Sequence, residues 1–261
     1  MGFGLIIVGD EILSGKRVDQ HLAKVIELLK ERGLTLEWAE YVGDNRARII
    51  SCLQRSFKGG DVVFSTGGIG ATPDDHTRQC AAAALAVPLV LHPEAKRLIQ
   101  ERIVETNSHP EKVVDLNTPD HLHRLKMGEF PEGSAIIPNP FNKIPGFAIR
   151  QHYFVPGFPV MAWPMIAWVL DTHYSHLFHQ HQYLEKSTLV FEMAESTLTP
   201  MMEVLESNYS GIKVFSLPSV GSDTVRRHIE LGVKGEPTQV QAAFAEMLNS
   251  LTEFGAEFQL I

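Results

Sequence analysis

The chain has 261 residues, enough for one large domain or two ordinary ones, and its 44% hydrophobic and 21% charged content is that of a soluble globular protein. Its formal charge of -8 and the lack of any Lys/Arg run argue against a nucleic-acid surface. No apolar stretch approaches a membrane span, the start MGFGLIIVGDE has no signal-peptide pattern, and Ile6 stands where a myristoylation signal needs a hydroxyl.

In chain order, Leu5–Val8 is a short apolar run that predicts a buried strand. Val18, Leu22, Val25, Ile26 and Leu29 then trace one helix face, closed by Gly33. Residues 34–42 predict a second strand. Asp44 or Asn45 can cap the next helix, whose inner face is Ile49, Ile50, Leu53 and Phe57. Val62–Phe64 predicts a third strand. Strands alternating with helices imply a mostly parallel sheet covered on both faces, a three-layer α/β/α arrangement. Residues 93–105 read as a helix. The stretch 107–159 is rich in Pro, Gly and Asn, with strand-like runs at 134–137, 147–149 and 153–155. Residues 160–170 read as a helix that Pro164 should kink or cut short.

The last quarter reads strand (188–194), helix (200–208), strand (212–217), strand (225–233), helix (240–251), strand (257–260). That β-α-β-β-α-β order predicts a smaller ferredoxin-like α+β domain. The boundary is placed in the polar stretch between Asp171 and Lys186, giving domains 1–172 and 186–261. Cys52 and Cys80 fall in helical patterns without a partner motif, which reads as packing in a reduced, cytoplasmic protein.

The chemistry concentrates in FSTGGIGATPDDHT, residues 64–77. Thr66, Gly67, Gly68 and Gly70 leave a strand end with backbone N–H groups free to converge on an anion. Thr72 is expected as the cap and Pro73 as the first residue of a helix running on through 74–86, whose positive end faces the same spot. Asp74 and Asp75 then fall in the first turn. As helix-end acids alone they contribute about 0.3–1 kcal/mol each. A second pair, Asp10 and Glu11, follows Gly9 at the end of the first strand. Two unit charges about 4 Å apart repel by roughly 4 kcal/mol at an effective dielectric near 20, so phosphate facing these acids needs a cation between them. Mg²⁺ binds in this way, through one or two carboxylates plus substrate phosphates. The glycines are thus expected to hold phosphate, and Asp10, Glu11, Asp74 and Asp75 a divalent metal (Mg, Mn or Co).

GDEILSG (9–15), VGDN (42–45) and TGGIGATPDDHT (66–77), with Asn139-Pro140, Pro145-Gly146-Phe147 and Pro156-Gly157-Phe158-Pro159, resemble the amino-terminal domain of the CinA (competence/damage-inducible A) family. That domain belongs to the molybdopterin-binding superfamily of MoaB and Mog. The resemblance covers roughly residues 3–171. It implies a MoaB/Mog-like fold and a pocket for a phosphorylated pterin or nucleotide. It further implies metal-dependent hydrolysis of a pyrophosphate such as ADP-ribose or FAD, with Asp75 and Asp74 as catalytic residues. The alternatives are molybdopterin binding or adenylylation in molybdenum-cofactor biosynthesis, and a non-catalytic module. The chain departs from the family at Ala71, in place of the usual Pro, and at Asp19-Gln20-His21. The carboxy-terminal amidase domain of long CinA proteins is not expected.

Further ligand candidates are Asp44, Asn142 and Gly157; Lys16 and Arg17 can reach a phosphate or form a solvated loop. His173, His176, His179 and His181 read as a solvated connector rather than a metal site. The expected partner is a small phosphorylated molecule, with no nucleic acid and no membrane, in a homo-oligomer.

Overall fold

The computed structural model describes residues 2–107, 114–180, 184–222 and 224–261. The chain divides into two compact units, Met1–Phe178 and His179–Ile261.

The first unit runs β1 (Phe3–Val8), α1 (Asp10–Leu13), α2 (His21–Lys30), β2 (Leu36–Val42), α3 (Arg46–Ser56) and β3 (Val62–Thr66). It continues with α4 (Thr77–Leu85), β4 (Leu89–Leu91), α5 (Pro93–Asn107), α6 (Pro119–Leu125), β5 (Glu129–Pro131), β6 (Ala135–Ile137), β7 (Gly146–Ile149), β8 (His152–Val155) and α7 (Pro159–His173). The central sheet has the order β2-β1-β3-β8-β7-β6. Strands β2, β1, β3 and β8 are parallel, and β7 joins antiparallel to β8 and β6. Alternation along β1 divides the core. Phe3, Leu5 and Ile7 pack with Val25 and Leu29 of α2 and with Met165, Ile166 and Val169 of α7. Ile6 and Val8 pack on the other face with Ile49 and Leu53 of α3 and Cys80 and Ala81 of α4. The mostly parallel sheet is thus covered on both faces.

Local chemistry sets the helix ends. Asn45 caps α3, its side chain accepting the Arg48 N–H at 3.1 Å. Gly33, at φ +69°, turns the chain after α2, with the Leu34 N–H bonded to the Leu29 carbonyl. Val18 does not join α2 and is 85% exposed. Asp19 accepts the N–H groups of His21 and Leu22, so the helix begins at His21 and its inner face is Val25, Leu28 and Leu29. The helix expected from Pro73 instead begins at Thr77. Residues Thr72–Asp75 form a turn, with the Asp75 N–H bonded to the Thr72 carbonyl at 3.0 Å. Helix α7 runs on through Pro164; the carbonyl that Pro164 cannot serve belongs to half-exposed Val160.

The second unit comprises β9 (Leu184–Phe191), α8 (Glu195–Asn208), β10 (Ile212–Ser219), β11 (His228–Gly235), α9 (Pro237–Glu253) and β12 (Phe258–Leu260). Its antiparallel sheet has the order β10-β11-β9-β12. Val190, Ile229, Leu231 and Val233 on one face pack against Leu198 and Met201 of α8 and Val240, Phe244 and Met247 of α9. Among the described residues no helix is long and apolar enough to cross a membrane.

Candidate functional site at the carboxyl ends of the parallel strands

The loop after β3 is folded back onto the sheet by its own backbone. The Gly67 N–H bonds to the Val155 carbonyl at 3.1 Å, and the Thr77 N–H to the Gly68 carbonyl at 2.9 Å. The buried Thr77 hydroxyl donates to the Gly67 carbonyl at 3.1 Å. Gly67 sits at φ +95°, and a Cβ there would lie 2.2 Å from the Val8 carbonyl oxygen. No other residue fits at that point. Gly157, after β8, meets Gly67 so closely that its Cβ would lie 3.3 Å from the Gly67 Cα. Two glycine turns therefore pack back to back across the strand ends.

A second set of bonds fixes the outer part of the loop. Arg78 is 2% exposed and donates to the Gly70 carbonyl at 2.6 Å and to the carbonyls of Lys126 and Glu129. Burial lowers its pKa, opposed by the Glu129 and Asp75 carboxylates. His123 Nε2 donates to the Ala71 carbonyl at 2.9 Å. The loop is thus held between the sheet and the 119–129 segment before any ligand arrives.

Beside this loop lies a cavity of about 610 Å³, within the range of small-molecule and cofactor sites. Its wall includes Gly68, Gly70, Thr72, Asp74 and Asp75 of this loop, together with Glu11 and Arg17. It also includes Ile69, Met127, Ile144, Pro145, Phe158 and Met161, with Asn139, Asn142 and Gly157. Eight expected residues are therefore brought to one cavity: Glu11, Gly68, Gly70, Thr72, Asp74, Asp75, Asn142 and Gly157. Of the two basic candidates, Arg17 lines it and Lys16 does not.

Gly9, Asp10, Asp44, Thr66 and Gly67 do not line it. Asp10 and Asp44 latch two strand ends together: the Asp44 N–H donates to Asp10 Oδ1 at 3.1 Å, and the Asp10 N–H to Asp44 Oδ2 at 2.9 Å. Burial raises the Asp44 carboxyl above its usual range, as do the charges of Asp10, Glu11 and Asp74, while the Asp10 N–H lowers it. Those acids therefore share one negative field. Asp75 is also tied down, its Oδ2 accepting both the N–H and the hydroxyl of Thr72. The Asp74 carboxyl is solvent-accessible and is held below the usual carboxylate range by the nearby Thr72 hydroxyl and its own N–H.

Among the described residues no three His, Cys, Asp or Glu side chains form a ready-made metal site. The cavity wall still carries the hard oxygen donors Glu11, Asp74 and Asp75. That set fits a magnesium-type ion completed by waters and ligand phosphates, and does not fit a closed all-protein cage. Elsewhere, His173 packs against Tyr153 and Trp168, and His181 lies outside the described residues. Cys52 and Cys80 are buried and unpaired, and burial pushes their thiols up to about 12 and about 11, so both stay protonated.

Thr77, Arg78 and Asn139 were not legible as site residues. Their roles rest on contacts with distant carbonyls or turns. The one local signal is a Thr-Arg pair opening an alanine-rich helix.

The family described as "Probable molybdopterin binding domain" matches residues 4–176. A "CinA-like protein" of Anaeromyxobacter sp. (strain Fw109-5) is 34% identical over 160 residues, 60% of this chain and 37% of that protein. A "Putative competence-damage inducible protein" of Caldanaerobacter subterraneus subsp. tengcongensis is 26% identical over 261 residues, 97% of this chain and 59% of that protein. The chain thus spans 37% and 59% of the length of these two curated relatives. The crystal structure of CinA, of unknown function, from Thermoplasma acidophilum matches with a TM-score of 0.55 at 24% identity. That match covers 66% of this chain and 98% of that one, and shows a shared fold. The family match contains the whole cavity wall, from Glu11 to Met161, and by it the chain belongs to the probable molybdopterin-binding domain family.

Proposed function

We propose that this CinA-like domain binds a phosphorylated ligand of nucleotide or pterin type with a divalent cation, and hydrolyses a phosphoanhydride in it. The observation that carries the reading is the composition of one cavity: a prearranged glycine loop, three carboxylates and Arg17, together with apolar side chains, line the same space. The glycine-loop N–H groups and Arg17 hold phosphate oxygens. Glu11, Asp74 and Asp75 hold the cation, which when bound supplies charge stabilisation on phosphate and lowers the pKa of water. Asp75 also keeps the turn closed through Thr72, while the Asp74 carboxyl stays solvent-accessible. Ile144, Phe158 and Met161 supply apolar wall that limits bulk water in the same cavity. In the reaction, the oxygen of water bonds to one phosphorus. The bond from that phosphorus to the bridging oxygen breaks, and two monophosphates leave.

The test is to incubate the protein with ADP-ribose or FAD and Mg²⁺, Mn²⁺, Co²⁺ or EDTA, and to follow monophosphate release. Metal-dependent release supports the reading, and no release with any metal removes the catalytic part. The family description favours a second reading for the same cavity, molybdopterin binding without hydrolysis. A pterin phosphate that binds and is recovered intact would select it.

A further inference from the structure

Besides the proposed phosphate and metal groups, the cavity wall carries a further polar feature. Asn139, 5% exposed, has both amide hydrogens and its oxygen engaged. Its Nδ2 donates to Asn142 Oδ1 at 2.8 Å and to the Ile144 carbonyl at 2.9 Å, and its Oδ1 accepts the Phe141 N–H at 3.0 Å. Asn142 is different. Its Oδ1 accepts two donors, Asn139 Nδ2 and the Ile144 N–H at 3.0 Å, which fixes which end of the amide is oxygen. Among the described residues, the two hydrogens on its Nδ2 meet only the Met161 sulfur, at 3.3 Å, a weak acceptor. Among those residues a pre-oriented donor without a strong acceptor therefore shares the cavity wall with Ile144, Pro145, Phe158 and Met161.

We propose that Asn142 is the specificity-determining residue of this cavity, its Nδ2 donating to a ring nitrogen or ring carbonyl on the edge of a planar heterocycle that packs against Phe158. The inference rests on the phosphate-and-metal reading of the same cavity. It narrows the ligand to a heterocycle carrying phosphates, with an acceptor rather than a donor turned toward Asn142. Phe158 is 54% exposed and lines the cavity, so a flat ring can cover it.

Asn142→Asp separates ring reading from folding. Both bonds that organise the loop end on Oδ1, and Asp keeps that atom while it replaces the donor by an acceptor. Binding of ADP-ribose and of pyrophosphate, each as its uncleavable methylene-bridged analogue with Mg²⁺, is measured by calorimetry for the wild type, Asn142→Asp and the uncharged Asn142→Ala. The added charge of Asp acts on both ligands, so the readout is the ratio of the two affinities. The expected result is that both variants lower the preference for ADP-ribose over pyrophosphate by about tenfold or more, at little cost in Tm for Asn142→Asp. Phe158→Ala lowers the same ratio. An unchanged ratio in both Asn142 variants overturns this inference and leaves the phosphate-and-metal reading standing. Failure of the wild type to bind either probe overturns both.

Discussion

The two ends of the central parallel strands use polar groups in opposite ways. At the carboxyl ends, Glu11, Arg17 and Asp74 face a cavity and are left accessible to it. At the amino ends, the polar groups are paired. Asp61, just before β3, accepts the Gly2 N–H at 2.9 Å and the Trp38 indole N–H at 3.0 Å. His152, the first residue of β8, is 1% exposed, with Nδ1 2.9 Å from the Arg150 carbonyl and Nε2 2.6 Å from the Ser56 hydroxyl. The carbonyl can only accept, so Nδ1 carries the hydrogen and the Ser56 hydroxyl donates to Nε2. The contrast separates stability from proposed chemistry in one sheet: satisfied polar groups hold the strands in register, and the accessible ones at the opposite edge are those proposed to meet a ligand.

The largest expected effect lies at the open end. Asp74→Asn and Glu11→Gln should each lower metal-dependent phosphoanhydride cleavage by about 100-fold or more, with stability within about 0.5 kcal/mol of wild type. A Tm scan beside the turnover assay checks both halves. A large loss of Tm would mean that these carboxylates, too, are structural.

The next effect is at the paired end and depends on pH. Burial pulls His152 down to about 4, against which the Arg150 carbonyl and Asp61 act upward. Its folded-state pKa lies below the unfolded value near 6.5, so its contribution is complete above about pH 6.5 and is lost as pH falls toward 4. At most about 3 kcal/mol of stability is at stake. Chemical denaturation across that range should show the decline, and His152→Phe should flatten it without altering cleavage at neutral pH.

Asp61→Ala should cost about 1–2 kcal/mol, since it leaves the Trp38 and Gly2 N–H groups without their acceptor. Hydrogen bonding from Trp38, then from Gly2, holds Asp61 below the usual carboxylate range, so this contribution also falls in acid. The smallest effect is expected for Asp10→Asn. Its Oδ1 still accepts the Asp44 N–H, and one charge is removed beside Asp44. Stability should stay within about 0.5 kcal/mol of wild type, measured by denaturant titration.

Much of this arrangement was legible in the sequence where the signal is local. The alternation of apolar runs with helix-spaced stripes located β1, β3, α3 and the six elements of the second unit, because burial of one face writes itself into the spacing. The short strands β4 and β5 were not seen: they pair only with each other, outside the central sheet, and β5 ends on Pro131. The start of α4 was misplaced because Thr72-x-x-Asp75 closes a turn as readily as it caps a helix. The candidate site was legible as a set of residue types. The division of each acidic pair into an anchor and an open group was not. Asp10 is committed by Asp44, 34 positions away in the chain, and Arg78 by carbonyls 48 and 51 positions away. Such partners exist only once the sheet has formed.

The most direct test compares one substitution from each end of the sheet, Asp74→Asn and His152→Phe, in the same ADP-ribose cleavage assay with Mg²⁺ and in the same Tm measurement. Asp74→Asn is expected to lose cleavage at unchanged Tm, and His152→Phe to keep cleavage while its acid sensitivity changes. Full cleavage by Asp74→Asn, or loss of cleavage by a stably folded His152→Phe, would contradict this division of roles.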